Sequence, residues 1–200
     1  MAVTTGTQSA QEMERMSAEP DAQQYVLRQK IGVGGMAEAW LAETLSPNGA
    51  SRQVVVKKML PHLASDPEYQ GMFIDEARNA SSLCHPNVVQ LLDIGRMDGV
   101  PFIAMEYVAG ADLRMVLRTA RISNRPLPLA AALWAVCEVL AGLEYVHTRV
   151  ASDGSLLSLV HRDVGLSNVL VSRLGEVKLS DFGIAKSALS VSQTAAGMIK

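Results

Sequence analysis

Three groups of residues in this chain have the types and spacing to do chemistry. Gly32-Val33-Gly34-Gly35-Met36-Ala37 nearly fits G-x-G-x-x-G, with Ala37 in the third place. Glycines let a backbone approach phosphate oxygens closely and present N–H groups to them. By itself the pattern also fits a plain hairpin turn or a dinucleotide-binding loop. The dinucleotide reading needs strand, glycine loop and helix, with an acidic residue about 20 positions on. Here β-like segments lie on both sides, which favours a hairpin closing over a nucleotide. The second group is Val54-Val55-Val56-Lys57-Lys58, followed by Glu76. A lysine ending such a strand is usually a surface residue with a buried stem. Paired with a carboxylate on the next helix, it can instead be held toward phosphates. Strand alternation puts only one of the two lysines on the ligand side. Lys57 is preferred because Val55 shares its face, and Lys58 stays open. The third group is His161-Arg162-Asp163, then Asn168 five residues after the aspartate, then Asp181-Phe182-Gly183.

These groups need elements to hold them. Residues 1–23 lack hydrophobic periodicity and read as a disordered leader. From Tyr25 the pattern becomes short β-like runs: Tyr25 to Leu27, the glycine loop, then Ala39-Trp40-Leu41. Ser46-Pro47-Asn48-Gly49 signals a turn, and Arg52 to Met59 a strand. Asp66 is placed to cap a helix carrying Phe73, Ile74, Ala77, Ala80 and Leu83, which His85-Pro86-Asn87 breaks. Strands are expected over Val88 to Leu92 and Pro101 to Tyr107, joined through Asp98-Gly99. Asp112 can cap a short helix, and Pro128 opens a long apolar one to about His147. Asp153-Gly154 marks a turn, and short segments follow at Leu159-Val160, Asn168 to Ser172 and Val177 to Leu179. The chain reads as a small β lobe with one helix (24–109), then the start of a helical lobe (110–200).

Composition narrows the class. Net charge is −2, with 48% hydrophobic and 19% charged residues, so there is no basic field for nucleic acid or anionic lipid. The longest apolar runs, such as Ala130 to Trp134, fall short of the roughly 18 residues that span a bilayer. No signal peptide is visible. Cys84 and Cys137 read as two buried thiols in a reducing, cytoplasmic setting, and no Cys/His spacing resembles a metal site.

Taken in order, glycine loop, strand lysine, helical glutamate, H-R-D-x-x-x-x-N and D-F-G resemble the protein-kinase signature. Gly34-Gly35-Met36 and His85-Pro86-Asn87-Val88-Val89 resemble the bacterial branch of eukaryotic-type (Hanks-type) Ser/Thr kinases, over about Tyr25 to Lys200. The resemblance implies an α+β, bilobal fold with an antiparallel sheet plus one helix and an incomplete helical lobe. It implies ATP and Mg²⁺ as cofactors and a protein Ser/Thr hydroxyl as acceptor. By it, Asp163 would take the substrate proton, Lys57 and Glu76 would form the phosphate-holding pair, and Asn168 and Asp181 would hold Mg²⁺. Val33, Ala39, Val55 and Leu170 would sandwich the adenine, Ile31 and Met36 would also line the ATP site, Met105 would be the gatekeeper, and Glu106 to Val108 the hinge. His161 and Phe182 would stack inside.

Departures from the family pattern are also legible. Ala37 replaces the third glycine and is expected to stiffen the loop tip. Ala39 is smaller, and Val55 larger, than the usual residues over adenine. Gly165 stands where Ser/Thr kinases commonly carry a lysine that contacts the γ-phosphate, and Leu166 where proline is usual; losing that cation removes a transition-state contact. Ser187, Ser190, Ser192 and Thr194 are candidate phosphorylation sites, and Arg162 could pair with a phosphate there. No A-P-E follows before Lys200, so a partial kinase domain is expected. Leu133, Val136, Val139, Leu140 and Leu143 would then lack packing partners and favour self-association. The alternative reading is a nucleotide-binding pseudokinase module with little transfer activity.

Overall fold

The computed structural model describes residues 24–45, 51–150, 154, 156, 157 and 159–181. The expected leader, Phe182 and the four candidate phosphorylation sites lie outside them. The first region is a five-stranded antiparallel sheet in the order β1-β2-β3-β5-β4. Its strands are β1 (Gln24–Val33), β2 (Ala37–Leu45), β3 (Ser51–Met59), β4 (Leu91–Met97) and β5 (Val100–Glu106). One face buries Ala42, Val54, Val56, Phe102 and Ala104, with Tyr25 and Leu27 packed against them. The two edge strands curl toward each other over this cluster, because the Tyr25 hydroxyl on β1 donates to Asp93 Oδ2 on β4 at 3.0 Å. Burial, and then the Asp93 carboxylate, raise the Tyr25 phenol above its ordinary range.

The other face is covered by α1 (Pro67–Ser81). Asp66 caps it as expected, its side chain accepting from Glu68 N at 2.9 Å with Pro67 at the first turn. Phe73 and Ala77 from α1 pack with Met59, Ile103 and Ala37, and Phe73 and Met59 are almost wholly buried. Each large side chain so buried contributes about 2–3 kcal/mol. Asp98-Gly99 closes β4 onto β5 with φ of 52° and 77°. That is the left-handed pair a two-residue hairpin requires.

The strand expected at Val88 begins instead at Leu91. The backbone of Asn87 to Val89 is taken by a second sheet: Leu179 N donates to Asn87 O and Val89 N to Leu179 O, both at 2.8 Å. That sheet has the order β6-β7-β8, from β6 (Gly110–Asp112), β7 (Val169–Ser172) and β8 (Val177–Leu179). Leu159-Val160 forms no strand. Two helices accompany the sheet, α2 (Leu113–Ile122) and α3 (Leu129–His147). Asp112 caps α2 by accepting from Met115 N at 2.7 Å.

Close backbone approaches fix this region. A Cβ on Gly110 would lie 1.9 Å from Val171 O, and one on Gly142 of α3 would lie 2.9 Å from Asn87 O. Asn87 itself is buried, donating to Glu138 Oε2 at 2.6 Å and to Val177 O at 2.9 Å. Of the α3 residues expected to lack partners, Val139 and Leu143 pack on the cluster of Ala135, Val169, Val177 and Leu179. Leu133, Val136 and Leu140 stay more than half exposed, as does Trp134.

Two expectations need correction. α3 has 19 residues and an 18-residue window of mean hydropathy 1.6, enough by length and composition alone to cross a membrane. No single run in it reaches that length, because Glu138 and Glu144 interrupt the apolar sequence. Only Ala135, Gly142 and Val146 of its residues are buried. Cys84 and Cys137 are free, but both are exposed rather than buried. Cys84 follows the end of α1, and Cys137 sits one helical turn from exposed Leu133.

Candidate active site

The glycine segment is a hairpin tip, strand on either side, with Gly34 N donating to Ala37 O at 2.8 Å. A dinucleotide loop leading into a helix is thereby ruled out. A Cβ on Gly35 would meet nothing within 4 Å, and on Gly32 or Gly34 only ordinary contacts at 3.9 and 3.5 Å. Among the described residues nothing demands glycine at this tip. Ile31 and Val33 flank it and are exposed, 48% and 67%. Met36 and Ala37 are different. Both are buried, and the Ala37 methyl packs under the sheet with Met59 and Phe73 rather than at the tip. The methyl therefore does not reach the tip it was expected to stiffen. The stem is braced by the Lys30–Glu38 ion pair, which lowers the Glu38 carboxyl pKa, and by Lys30 lying 4.9 Å over the Trp40 ring.

Register across the sheet sets the next layer. Ala39 pairs with Lys57 and Lys57 with Ile103; Leu41 pairs with Val55 and Val55 with Met105. Alternation puts Ala39, Val55, Lys57, Ile103 and Met105 on the α1 side. Lys57 Nζ donates to Asp181 Oδ1 at 3.0 Å. Lys58, on the opposite face, reaches Asp98 Oδ2 at 3.8 Å at the far hairpin. A cleft lined by Lys57, Ala77, Ala80, Met105 and Asp181 opens here. Glu76 lies on α1 immediately before cleft-lining Ala77.

The loop from His161 to Asn168 is hung from β7 and β8 by hydrogen bonds. Asn168 Nδ2 donates to both Asp163 O and Asp163 Oδ2 at 2.8 Å, which aims the Asp163 carboxylate. Ser180 N donates to Asn168 O at 2.8 Å, placing Asp181 beside this loop. His161 is buried, 1% exposed, with Nε2 3.1 Å from Ser180 O and Nδ1 3.4 Å from Asp163 N. A backbone N–H must donate and a carbonyl must accept, so the ring carries its proton on Nε2. Burial also pushes its pKa below the ordinary value, consistent with a neutral ring. Arg162 and Asp181 hold φ of 59° and 55°. Non-glycine residues in that left-handed region store strain that neighbouring structure must offset.

Together these bonds run unbroken from Asp163 through Asn168 and Ser180–Asp181 to Lys57. The available donors for a metal are oxygens: the Asn168 carbonyl and the Asp181 carboxylate. Among the described residues no three His, Cys, Asp or Glu converge. That set fits a hard cation completing its shell with water and phosphate oxygens.

Behind the cleft, the sequence missed a tether. Glu106 Oε1 accepts from Lys178 Nζ and from Gln90 N, both at 2.8 Å, and Glu106 N donates to Gln90 O at 2.9 Å. Its side chain and its N–H are thus both engaged, by Lys178 and Gln90. The available signal was Lys178, polar between buried Val177 and Leu179. Leu170 is half-buried on β7, paired with Lys178.

The chain matches the family model for protein tyrosine and serine/threonine kinases over residues 25–198. It is 42% identical over 176 residues to the tyrosine-protein kinase MasK of Myxococcus xanthus, covering 88% of this chain and 27% of that protein. It is 35% identical over 170 residues to the serine/threonine-protein kinase PrkC of Bacillus subtilis, covering 85% of this chain and 24% of that one. The chain thus spans about a quarter of the length of these curated relatives. The PknI kinase domain of Mycobacterium tuberculosis superposes with a TM-score of 0.61 at 30% identity, over 80% of this chain and 60% of that one. The glycine hairpin, the β3 lysine and the Asp163 loop are therefore those of a chain that belongs to the protein tyrosine and serine/threonine kinase family.

Proposed function

We propose that this chain transfers the γ-phosphoryl group of ATP to a Ser or Thr hydroxyl of a protein substrate. The observation that carries the reading is the hydrogen-bonded run Asp163–Asn168–Ser180–Asp181–Lys57. In it Asp163 orients the acceptor hydroxyl and takes its proton, held in aim by Asn168. Lys57, with Glu76 as its helical partner, reaches the α- and β-phosphates, and the tip from Gly32 through Ala37 covers them. Val33, Ala39, Val55 and Leu170 bracket the adenine, flanked by Ile31, with Met36 beneath the tip. Met105 stands at the rear, and backbone at Glu106 and Val108 meets the base edge. Asn168 and Asp181 would hold Mg²⁺, which when bound offsets negative charge on the phosphates.

Asp163→Asn should lower γ-phosphoryl transfer by about 10²- to 10⁴-fold with nucleotide affinity retained. Transfer from radiolabelled ATP, followed by phosphoamino-acid analysis, reads both the rate and the acceptor. Phosphotyrosine would correct the acceptor; undiminished transfer by the variant would remove Asp163 from the role. Gly165 favours a second reading, a nucleotide-binding module of low turnover. In that case both forms bind ATP and neither transfers.

Reducing cytoplasm, which supplies ATP, is the compartment this reading implies, in keeping with two exposed free thiols. The open α3 face around Leu133 and Leu140 is the surface we assign to self-association. Light scattering should show a shift toward monomer in Leu133→Ser/Leu140→Ser; an unchanged mass distribution would clear that face.

A further inference from the structure

The chain's net charge is −2, yet Leu113 to Cys137 contains four arginines and no acidic residue. Three of them, Arg114, Arg118 and Arg121, lie on α2. At 100° per residue they fall within an arc of about 60°, on one face of the helix. Arg125 follows the helix end, where Asn124 turns left-handed at φ 51° and Arg125 N donates back to Ala120 O at 2.9 Å. All four side chains are exposed. Arg114 leans on Asp112, 3.8 Å away, while Arg118, Arg121 and Arg125 have no ion-pair partner among the described residues. Like charges one turn apart on a helix repel and lower its stability slightly, so the stripe calls for a complement beyond the described residues.

Position says what that complement touches. Arg114 N donates to Leu166 O at 3.1 Å, so the start of α2 is joined to the loop bearing Asp163, three residues earlier. The stripe runs away from the catalytic loop along a rigid element. Arg114 to Arg118 rises about 6 Å and Arg118 to Arg121 about 4.5 Å. Alternate side chains of an extended peptide repeat at about 6.6 Å on one face, close to the first of these spacings. The opposite arc holds Leu113, Val116 and Ala120, and Leu113 packs into the cluster with Ala135 and Leu179. An apolar face turned into the protein is not available for insertion into a lipid surface.

We propose that the α2 arginine stripe docks an acidic, extended segment of the protein substrate beside the catalytic loop. This deepens the kinase reading and rests on it for the word substrate. The guanidinium groups recognise carboxylates at alternate positions by charge-assisted hydrogen bonds, which salt weakens.

The test uses the full protein and two peptides with one Ser acceptor each, flanked by alternating Glu or by alternating Gln. Wild type should show a KM for the Glu peptide about tenfold below that for the Gln peptide. Arg118→Gln/Arg121→Gln should erase the difference and leave kcat on the Gln peptide unchanged; Arg118→Lys/Arg121→Lys should restore part of it. Equal KM values for the two peptides in wild type, or an unchanged preference in the Gln variant, would overturn the proposal. Fluorescence anisotropy of the same labelled peptides reads docking without catalysis. Glu-selective binding with no phosphorylation therefore upholds the docking surface while sinking the kinase reading. Arginine-dependent binding to phosphatidylserine vesicles, with no peptide preference, would also overturn it.

Discussion

Glycines at the hairpin tip and glycines in the seam between β6, β7 and α3 are the same residue used for opposite reasons. In the seam, backbone stands where a side chain would be: 1.9 Å from Val171 O at Gly110 and 2.9 Å from Asn87 O at Gly142. At the tip, the space beside Gly35 is open, and neither Gly32 nor Gly34 is crowded. Seam glycines are demanded by the chain's own packing. Tip glycines are demanded by no described neighbour, which is compatible with the proposed phosphate role.

The contrast can be broken by three alanine substitutions, ordered by expected effect. Gly110→Ala places a methyl against the Val171–Ser172 backbone, which cannot yield, and should cost about 3 kcal/mol or more. Gly142→Ala meets backbone too but gains helix propensity, leaving a net loss of about 1–2 kcal/mol. Gly35→Ala should leave stability unchanged or raise it by about 0.4–1 kcal/mol, by restricting the unfolded chain. Its cost should fall on nucleotide affinity instead. Urea unfolding midpoints and nucleotide titrations give both readouts; a Gly35→Ala protein as destabilised as Gly110→Ala would dissolve the distinction.

Much of this was legible from local chemistry. Asp66 and Asp112 announced their helices as caps, and Asp98-Gly99 announced its turn, because each effect is complete within a few residues. The candidate site residues stand out as a spaced set, since chemistry restricts their types. What stayed hidden depends on distant partners. Val88 and Val89 look like a strand, but Val88 N turns back to His85 O and Val89 N donates to Leu179 O, ninety positions on. Glu106 looks like a hinge residue, and only the fold brings Lys178 and Gln90 to it. The exposure of Cys137 depends on which side of α3 is covered. The arginines of α2 were visible in the sequence, but their joining to the Asp163 loop was not.

The account turns on which face of β3 is the nucleotide face, and the strand's two adjacent lysines decide it. The measurement is the affinity for Mg·ATP, by calorimetric titration, of wild type, Lys57→Met and Lys58→Met. Lys57 points into the cleft against Asp181, and Lys58 points toward Asp98 on the opposite face. Lys57→Met should weaken binding about tenfold or more, while Lys58→Met stays within about twofold of wild type. Loss of binding in Lys58→Met with Lys57→Met unaffected would put the nucleotide on the other face and contradict the account.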